Sequence, residues 1–291
     1  MRTAGASFGD LAAVAKEYAA VIGDAERRAR WMLATAIFLL ALLGLGLWWI
    51  DFGFVRVATG LSRFGEIFWR MMPPSPGGLS RFQVYLQALI ETLGLAFVGT
   101  FSAAFIALPL GLLAARNVTS SHILHFLLRR LFDIIRGIDR FVWALIFVRV
   151  VGLGPFAGAL AIAVSNIGSF GKLFSESFEG ADPKPVEGVA STGAGRLETI
   201  RFAIVPEVAP VLLSQVLYYF ESDTRSATVI GIVGAVGIGL HLYEEIRTLE
   251  WTHVAFLILM ILVTVALIDA LSGALRRWFI GGRKEAKAKR G

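Results

Sequence analysis

The sequence predicts an all-α membrane protein with about six transmembrane helices, and three observations carry that expectation. Of 291 residues, 56% are hydrophobic and only 17% charged, with a mean hydropathy of +0.69. That balance lies far outside the range of soluble domains. Next, the chain holds about six apolar runs of a length near the roughly 20 residues that carry a helix across a bilayer. Finally, the cations segregate: twenty Lys and Arg fall in one set of inter-span segments and five in the other. This is the positive-inside pattern, and it favours both termini of a multi-pass membrane protein lying in the cytoplasm. Cysteine is absent, which leaves no disulfide framework and no thiol chemistry.

Taken in order, residues 1–30 form a polar cytoplasmic segment that ends in Arg27, Arg28 and Arg30. The first anchor follows over 31–50, with Trp31, Trp48 and Trp49 at its two ends, where amphipathic rings prefer the membrane interface. No cleavable leader is expected, because this first run comes only after the polar segment. Residues 51–84 read as an external segment with one surface helix, and Pro73, Pro74, Pro76, Gly77 and Gly78 break it. The main transmembrane domain covers 85–275. Its second span, 85–115, contains Pro109, so a tilt or kink is expected. A cytoplasmic stretch over 117–136 leads to a third span over 137–151, and Gly152-Leu153-Gly154-Pro155 turns it into a fourth ending near Lys172. The fifth span, 206–236, is too long for one straight crossing, so its glycine-rich end is expected to bend or leave the membrane. A short external loop precedes the last span, 251–275, and a basic cytoplasmic tail covers 276–291.

The one long polar island among these spans is 175–206. Within it Glu187, Gly193 and Pro206 keep the spacing E-x5-G-x12-P. Asp182 is placed to cap a helix whose first residue is Pro183, where a missing N–H is harmless. Gly193 and Gly195 are expected to stop that helix. Arg196 opens a second one, and Pro206 opens the membrane span. The expected product is a helix–hinge–helix elbow on the cytoplasmic face, a surface shaped to be gripped by another protein; the plainer reading is a solvated connector.

Intramembrane charges are the other informative feature, since an arginine at mid-bilayer costs about 2.5–3.5 kcal/mol on insertion scales and should face protein or water. Arg225 lies four residues after Glu221, so the two share a helix face, and Ser222, Asp223, Thr224 and Ser226 add polarity around them. This group reads either as the wall of a wet translocation path or as an ion pair that fixes the bundle. Arg149 reads as a path residue or as a side chain snorkelling to the outer interface. Ser165 and Asn166 could line a pore or bond between helices. Gly231, Gly234, Gly237 and Gly239 suit close backbone approach. His122 and His125 lack further ligands, so no metal site is expected. Catalytic residues are not evident either, which disfavours an intramembrane enzyme. An ion-driven secondary transporter would need acidic residues in mid-span, for which Glu91 and Glu221 are the candidates.

The polar island resembles the EAA loop of ABC-importer permeases, with the two alanines replaced by Gly188 and Val189. More specifically, ETLGLAFVGTF and LPLGLLAARN within 91–117, VWALIFVRVVGLGPFAG (142–158), GKLFSESFE (171–179) and FESDTRSATVIGIVGAVGIG (220–239) are similar to phosphonate-type, PhnE-like permease subunits. The resemblance covers about residue 83 to the end of the last span. It implies the type I, MetI-like permease fold and ATP-driven import of phosphonate or a related phosphorus oxyanion. Asp182, Glu187, Gly193, Gly195, Arg196 and Pro206 would form the ATPase-coupling loop. Arg149, Ser165, Asn166, Glu221, Arg225 and Ser226 would be candidates for the pathway or gate. Implied partners are a second permease copy, two ABC ATPase subunits and a periplasmic phosphonate-binding protein, with the lipid bilayer around them and no nucleic acid. No G-x4-G-K-[ST] phosphate loop occurs in the chain, so no cofactor is expected in it, and ATP and Mg would be bound by the partner ATPase.

Overall fold

Hydrophobic runs this long have one way to satisfy their backbone in lipid, which is the α-helix, and every described element is helical. A computed structural model describes the backbone of residues 8–119, 121–234 and 236–288, and the side chains of 27–119, 121–234 and 236–277. The ends of the polar N-terminal segment and of the basic tail thus lie outside the described residues. The chain divides into two compact units, 1–66 and 67–291.

In the first unit, helix α1 (Phe8–Trp49) runs unbroken from the polar segment through the apolar stretch Arg27–Trp49. None of that stretch is buried by protein, as suits an anchor whose solvent is lipid. Helix α2 (Phe54–Arg70) starts here. Phe54, Val57, Leu61, Phe64 and Phe68 recur every three or four residues along one exposed stripe, opposed by Arg56, Arg63, Glu66 and Arg70. An amphipathic helix of this kind suits a membrane interface, and it stands within 51–84, where the sequence predicts one helix.

The second unit is a bundle around α3 (Leu79–Ala114), α6 (Pro155–Glu179) and α9 (Val205–Gly234). Small residues let α3 and α6 approach closely. A Cβ on Gly99 would stand 2.8 Å from the Ile162 side chain, and one on Gly111 would stand 2.8 Å from Phe174. Pro109 is accommodated inside α3.

Five helices among the described residues are long and apolar enough to cross a membrane. The crossing expected over 137–151 takes a different form. Helix α5 (Arg140–Val151) has 12 residues, about 18 Å at 1.5 Å per residue, short of the roughly 30 Å of hydrocarbon. It is preceded by α4 (His122–Gly137), formed by the stretch expected to be a cytoplasmic connector. Successive contacts carry α4 along α6: Arg129 bonds Glu179 at 2.8 Å, Lys172 bonds Asp133 at 3.2 Å, and Phe132 and Arg136 close on Gly168. The two helices together line the length of α6, broken at Ile138 and Asp139.

The glycine-rich end of α9 folds back within the subunit. Gly237 has φ +66°, and a Cβ there would lie 2.3 Å from Thr92 Oγ1, which accepts a hydrogen bond from Ile238 N at 2.9 Å. Helix α10 (Gly237–Arg247) then packs on α3 and on α11 (Trp251–Ala288) through Tyr85, Leu89, Ile238 and Leu257. A Cβ on Gly239 would stand 2.0 Å from the Thr228 carbonyl oxygen, a backbone atom that cannot swing away. Gly239→Ala is therefore expected to destabilise the subunit by at least about 1–3 kcal/mol. Gly94→Ala, at a site with nothing within 4 Å, should leave it unchanged or gain about 0.5–1 kcal/mol. Thermal midpoints of the two detergent-solubilised variants check this.

Candidate coupling and translocation site

The polar island folds as two short helices around a turn. Asp182 caps α7 (Pro183–Ala190), its carboxylate accepting from Lys184 N at 3.1 Å. The helix unwinds through Ser191 and Thr192 to Gly193, which has φ +84°. A Cβ there would meet nothing within 4 Å, so the requirement for glycine comes from the backbone alone. Helix α8 (Arg196–Thr199) starts at Gly195, whose N–H donates to Glu198 Oε2 at 2.8 Å. Glu187 is fully on the outside of α7, and Gly195 and Arg196 are exposed too.

What holds the elbow is apolar. Val186 packs against the buried cluster that contains Ile200, Ile204 and Val208. Between α7 and the bundle lies a cavity of about 390 Å³, lined in part by Asn117, Glu179, Val186 and Arg196. From Arg196 the backbone winds on without interruption through a π turn (Ile200–Ile204) into α9. The π turn stands directly before Pro206, which has no N–H to give and whose ring would crowd the carbonyl four residues back. A widened turn is a standard way for a helix to absorb such a proline. Pro206 therefore sits inside a continuous helical rod, where the sequence suggested a fresh start.

Half-way along α9 that rod enters a buried polar knot. Asp223 has no exposed surface. Its carboxylate accepts from Thr100 Oγ1 on α3 at 2.6 Å, from Asn166 Nδ2 on α6, and from Arg140 Nη1 at the start of α5. Arg140 Nη1 also donates to Ser226 Oγ at 3.0 Å. Four helices meet at this one carboxylate. Asn166 Oδ1 is buried with no partner. A cleft of about 290 Å³ opens beside Arg140, lined by Asp139, Ser226, Val229 and Ile230 among others.

The second charged group is the one the sequence spacing points to. Arg225 Nη1 donates to Glu221 Oε1 at 3.1 Å. Glu221 also accepts from Arg276 of α11, Oε2 lying 3.4 Å from Nη2. Of the candidate pathway residues, the structure thus joins Asn166 and Ser226 in one network and Glu221 with Arg225 in another. Ser165 is buried on α6 outside both, and Arg149 is exposed in the last turn of α5. Arg140, Thr100, Asp223 and Arg276 are the additions. Spacing finds partners three or four residues apart on one helix; these partners come from four helices. The available signal was that Asp223 sits in an apolar span with no cation of its own on the same face.

Because Glu221 keeps Arg276, the Arg225 contact is a weak one. Arg225 is half exposed, with 50% of its side chain open, and such an i,i+4 pair contributes about 0.3–0.5 kcal/mol. Arg225→Ala is expected to lower the thermal midpoint by no more than about 2 °C. Glu221→Ala, which removes the partner of Arg225 and leaves Arg276 only its 3.9 Å contact to Asp269, should lower it by more. A double-mutant cycle separates the two contributions.

Comparison with known proteins follows the same outline. Residues 107–281 match the family described as binding-protein-dependent transport system inner membrane component. HtxC of Stutzerimonas stutzeri, a permease protein assigned to phosphite transport, is 38% identical over 262 residues, which cover 90% of this chain and 92% of HtxC. PhnE2 of Escherichia coli K12, a permease protein assigned to a cryptic phosphonate transport system, is 48% identical over 121 residues, or 42% of this chain and 99% of PhnE2. Among solved structures, an inward-facing MetNI methionine ABC transporter superposes with a TM-score of 0.60 at 21% identity, covering 69% of this chain and 99% of that one. That likeness shows the fold, the MetI-like type I permease. The chain belongs to the family of binding-protein-dependent transport system inner membrane components and is a permease subunit of an ABC importer.

Proposed function

We propose that this permease imports phosphonate or a closely related phosphorus oxyanion, works as a homodimer with two ATPase subunits, and receives substrate from a periplasmic binding protein. Both termini lie in the cytoplasm, as the distribution of basic residues favours. ATP and Mg are bound by the ATPase partners, since the chain has no phosphate loop of its own. The names of the relatives support the substrate class: phosphite for HtxC, phosphonate for PhnE2.

The observation that carries the mechanism is the continuous rod from the exposed elbow to the buried carboxylate. Helix α7, held by Val186, docks on the ATPase through Glu187 and its neighbours. The turn at Gly193 sets the angle of the elbow, and Pro206 lies where the rod enters the bundle. Movement of α7 is passed through α9 to Asp223, where α3, α5 and α6 are joined. Arg225 and the cleft beside Arg140 and Ser226 face the route of the substrate, Asn166 and Ser165 brace it, and Arg149 reaches the outer interface.

The substrate class is tested by reconstituting the permease, its ATPase and its binding protein in proteoliposomes. Methylphosphonate or phosphite is expected to stimulate ATP hydrolysis and to accumulate inside the vesicles. Stimulation by methionine with indifference to both oxyanions would overturn the substrate reading.

A further inference from the structure

Where α3 passes into α4 the chain builds a second polar cavity, of about 310 Å³, lined by Arg116, Thr119, Ser121, His122 and His125. Its five lining side chains are one guanidinium, two imidazoles and two hydroxyls, and none is a carboxylate. The cavity is also braced. His125 contacts the Ala114 carbonyl oxygen through Nδ1 at 2.6 Å, and its Nε2 accepts from Arg116 Nε at 3.1 Å. Those two bonds agree on one tautomer, with the proton on Nδ1, and they fix the plane of the guanidinium.

Arg116 is left with its Nη1 and Nη2 donors and no carboxylate partner among the described residues. The nearest acid in the chain of contacts, Glu179, is already engaged: Oε1 accepts from Arg116 N at 2.8 Å and Oε2 from Arg129 Nη2 at 2.8 Å. Ser121 Oγ accepts from Leu124 N at 3.3 Å, which leaves its hydrogen free to donate. A guanidinium fork beside hydroxyl donors suits a tetrahedral oxyanion, whose oxygens accept in pairs.

We propose that this cavity binds a phosphate group, with Arg116 as its principal contact and His122, Thr119 and Ser121 beside it. The site lies next to the elbow, because Asn117, the residue after Arg116, lines the cavity behind α7 and donates to Phe178 O at 2.7 Å. An occupant would stiffen the α3–α4 connection against which α7 is seated. Two sources offer the same chemistry at this end of the bundle: a free phosphorus oxyanion, or the headgroup of an anionic lipid at the membrane surface.

The test uses the full permease chain in nanodiscs, without ATPase, so that no nucleotide site confuses the result. Inorganic phosphate is titrated in phosphatidylcholine nanodiscs at near-physiological ionic strength, reading thermal midpoint and bound radiolabelled phosphate. A parallel arm compares phosphatidylcholine with discs containing phosphatidylglycerol. The expected result is stabilisation in one arm and its weakening by about tenfold in apparent affinity in Arg116→Gln, the size of one lost charge-assisted hydrogen bond. His122→Ala, which disturbs no bond within the fold, should weaken it in the same direction and serves if Arg116→Gln does not accumulate. Stabilisation by phosphate identifies a free oxyanion; stabilisation by phosphatidylglycerol alone identifies a lipid headgroup. No effect of either, or effects indifferent to both substitutions, overturns the proposal. Neither arm involves transport, so the substrate reading stands or falls separately.

Discussion

Asp223→Ala is expected to keep the subunit from accumulating in the membrane. The substitution removes the acceptor for Thr100, Asn166 and Arg140 together, on three different helices. It also leaves the largely buried Arg140 guanidinium without its anion. Breaking a buried pair from one side costs about 3–5 kcal/mol, a large part of the total stability of a domain. The neutral double variant Arg140→Gln with Asp223→Asn retains hydrogen-bonding groups and leaves no buried charge, so it should recover most of the lost abundance. Membrane abundance and thermal midpoint of the single and double variants check the pair. If Asp223→Ala accumulates normally, the four-helix junction is not what holds the bundle.

Gly193→Val is expected to leave the subunit inserted but to uncouple ATP hydrolysis from uptake. Insertion depends on the apolar spans, and the space around Gly193 is empty. The strain is confined to its φ of +84°, a conformation that costs an ordinary L-residue roughly 1–2 kcal/mol and is a genuine outlier for a β-branched one. A chain relieving that strain would reset the angle between α7 and α8 and move Glu187 relative to the ATPase. Glu187→Lys should do so from the other side, by reversing a charge on the exposed face. Uptake per ATP hydrolysed, measured in proteoliposomes beside membrane abundance, is expected to fall by about tenfold or more in either variant, the loss of one charge-assisted contact at the interface.

The elbow was legible in the sequence because its signals are local. A capping aspartate, a proline in the first turn and a glycine at the hinge each act within a few residues, so Asp182, Pro183 and Gly193 could be placed without knowing the fold. The pairing of Glu221 with Arg225 was legible for the same reason. The Asp223 junction was not, since Thr100, Arg140 and Asn166 are far away along the chain and come together only when α3, α5 and α6 pack. The packing of α4 and α5 along α6 was hidden by composition: Arg129, Arg130 and Arg136 look like a cytoplasmic connector until Glu179, Lys172 and the small residue Gly168 on α6 are seen to receive α4. The glycine run after Ile230 signalled close approach, but whether the partner was a second copy or the same chain depended on α10 folding back onto α9.

That the elbow is the surface gripped by the ATPase can be tested most directly by photocrosslinking. The chain contains no cysteine, so Glu187→Cys provides a unique attachment point for a benzophenone maleimide, and Arg63→Cys on α2 provides a control. In the reconstituted complex, illumination is expected to join the permease to the ATPase subunit from position 187 and not from position 63, with a yield that changes when ATP is added. Crosslinking to the ATPase from position 63 with none from position 187 would contradict it.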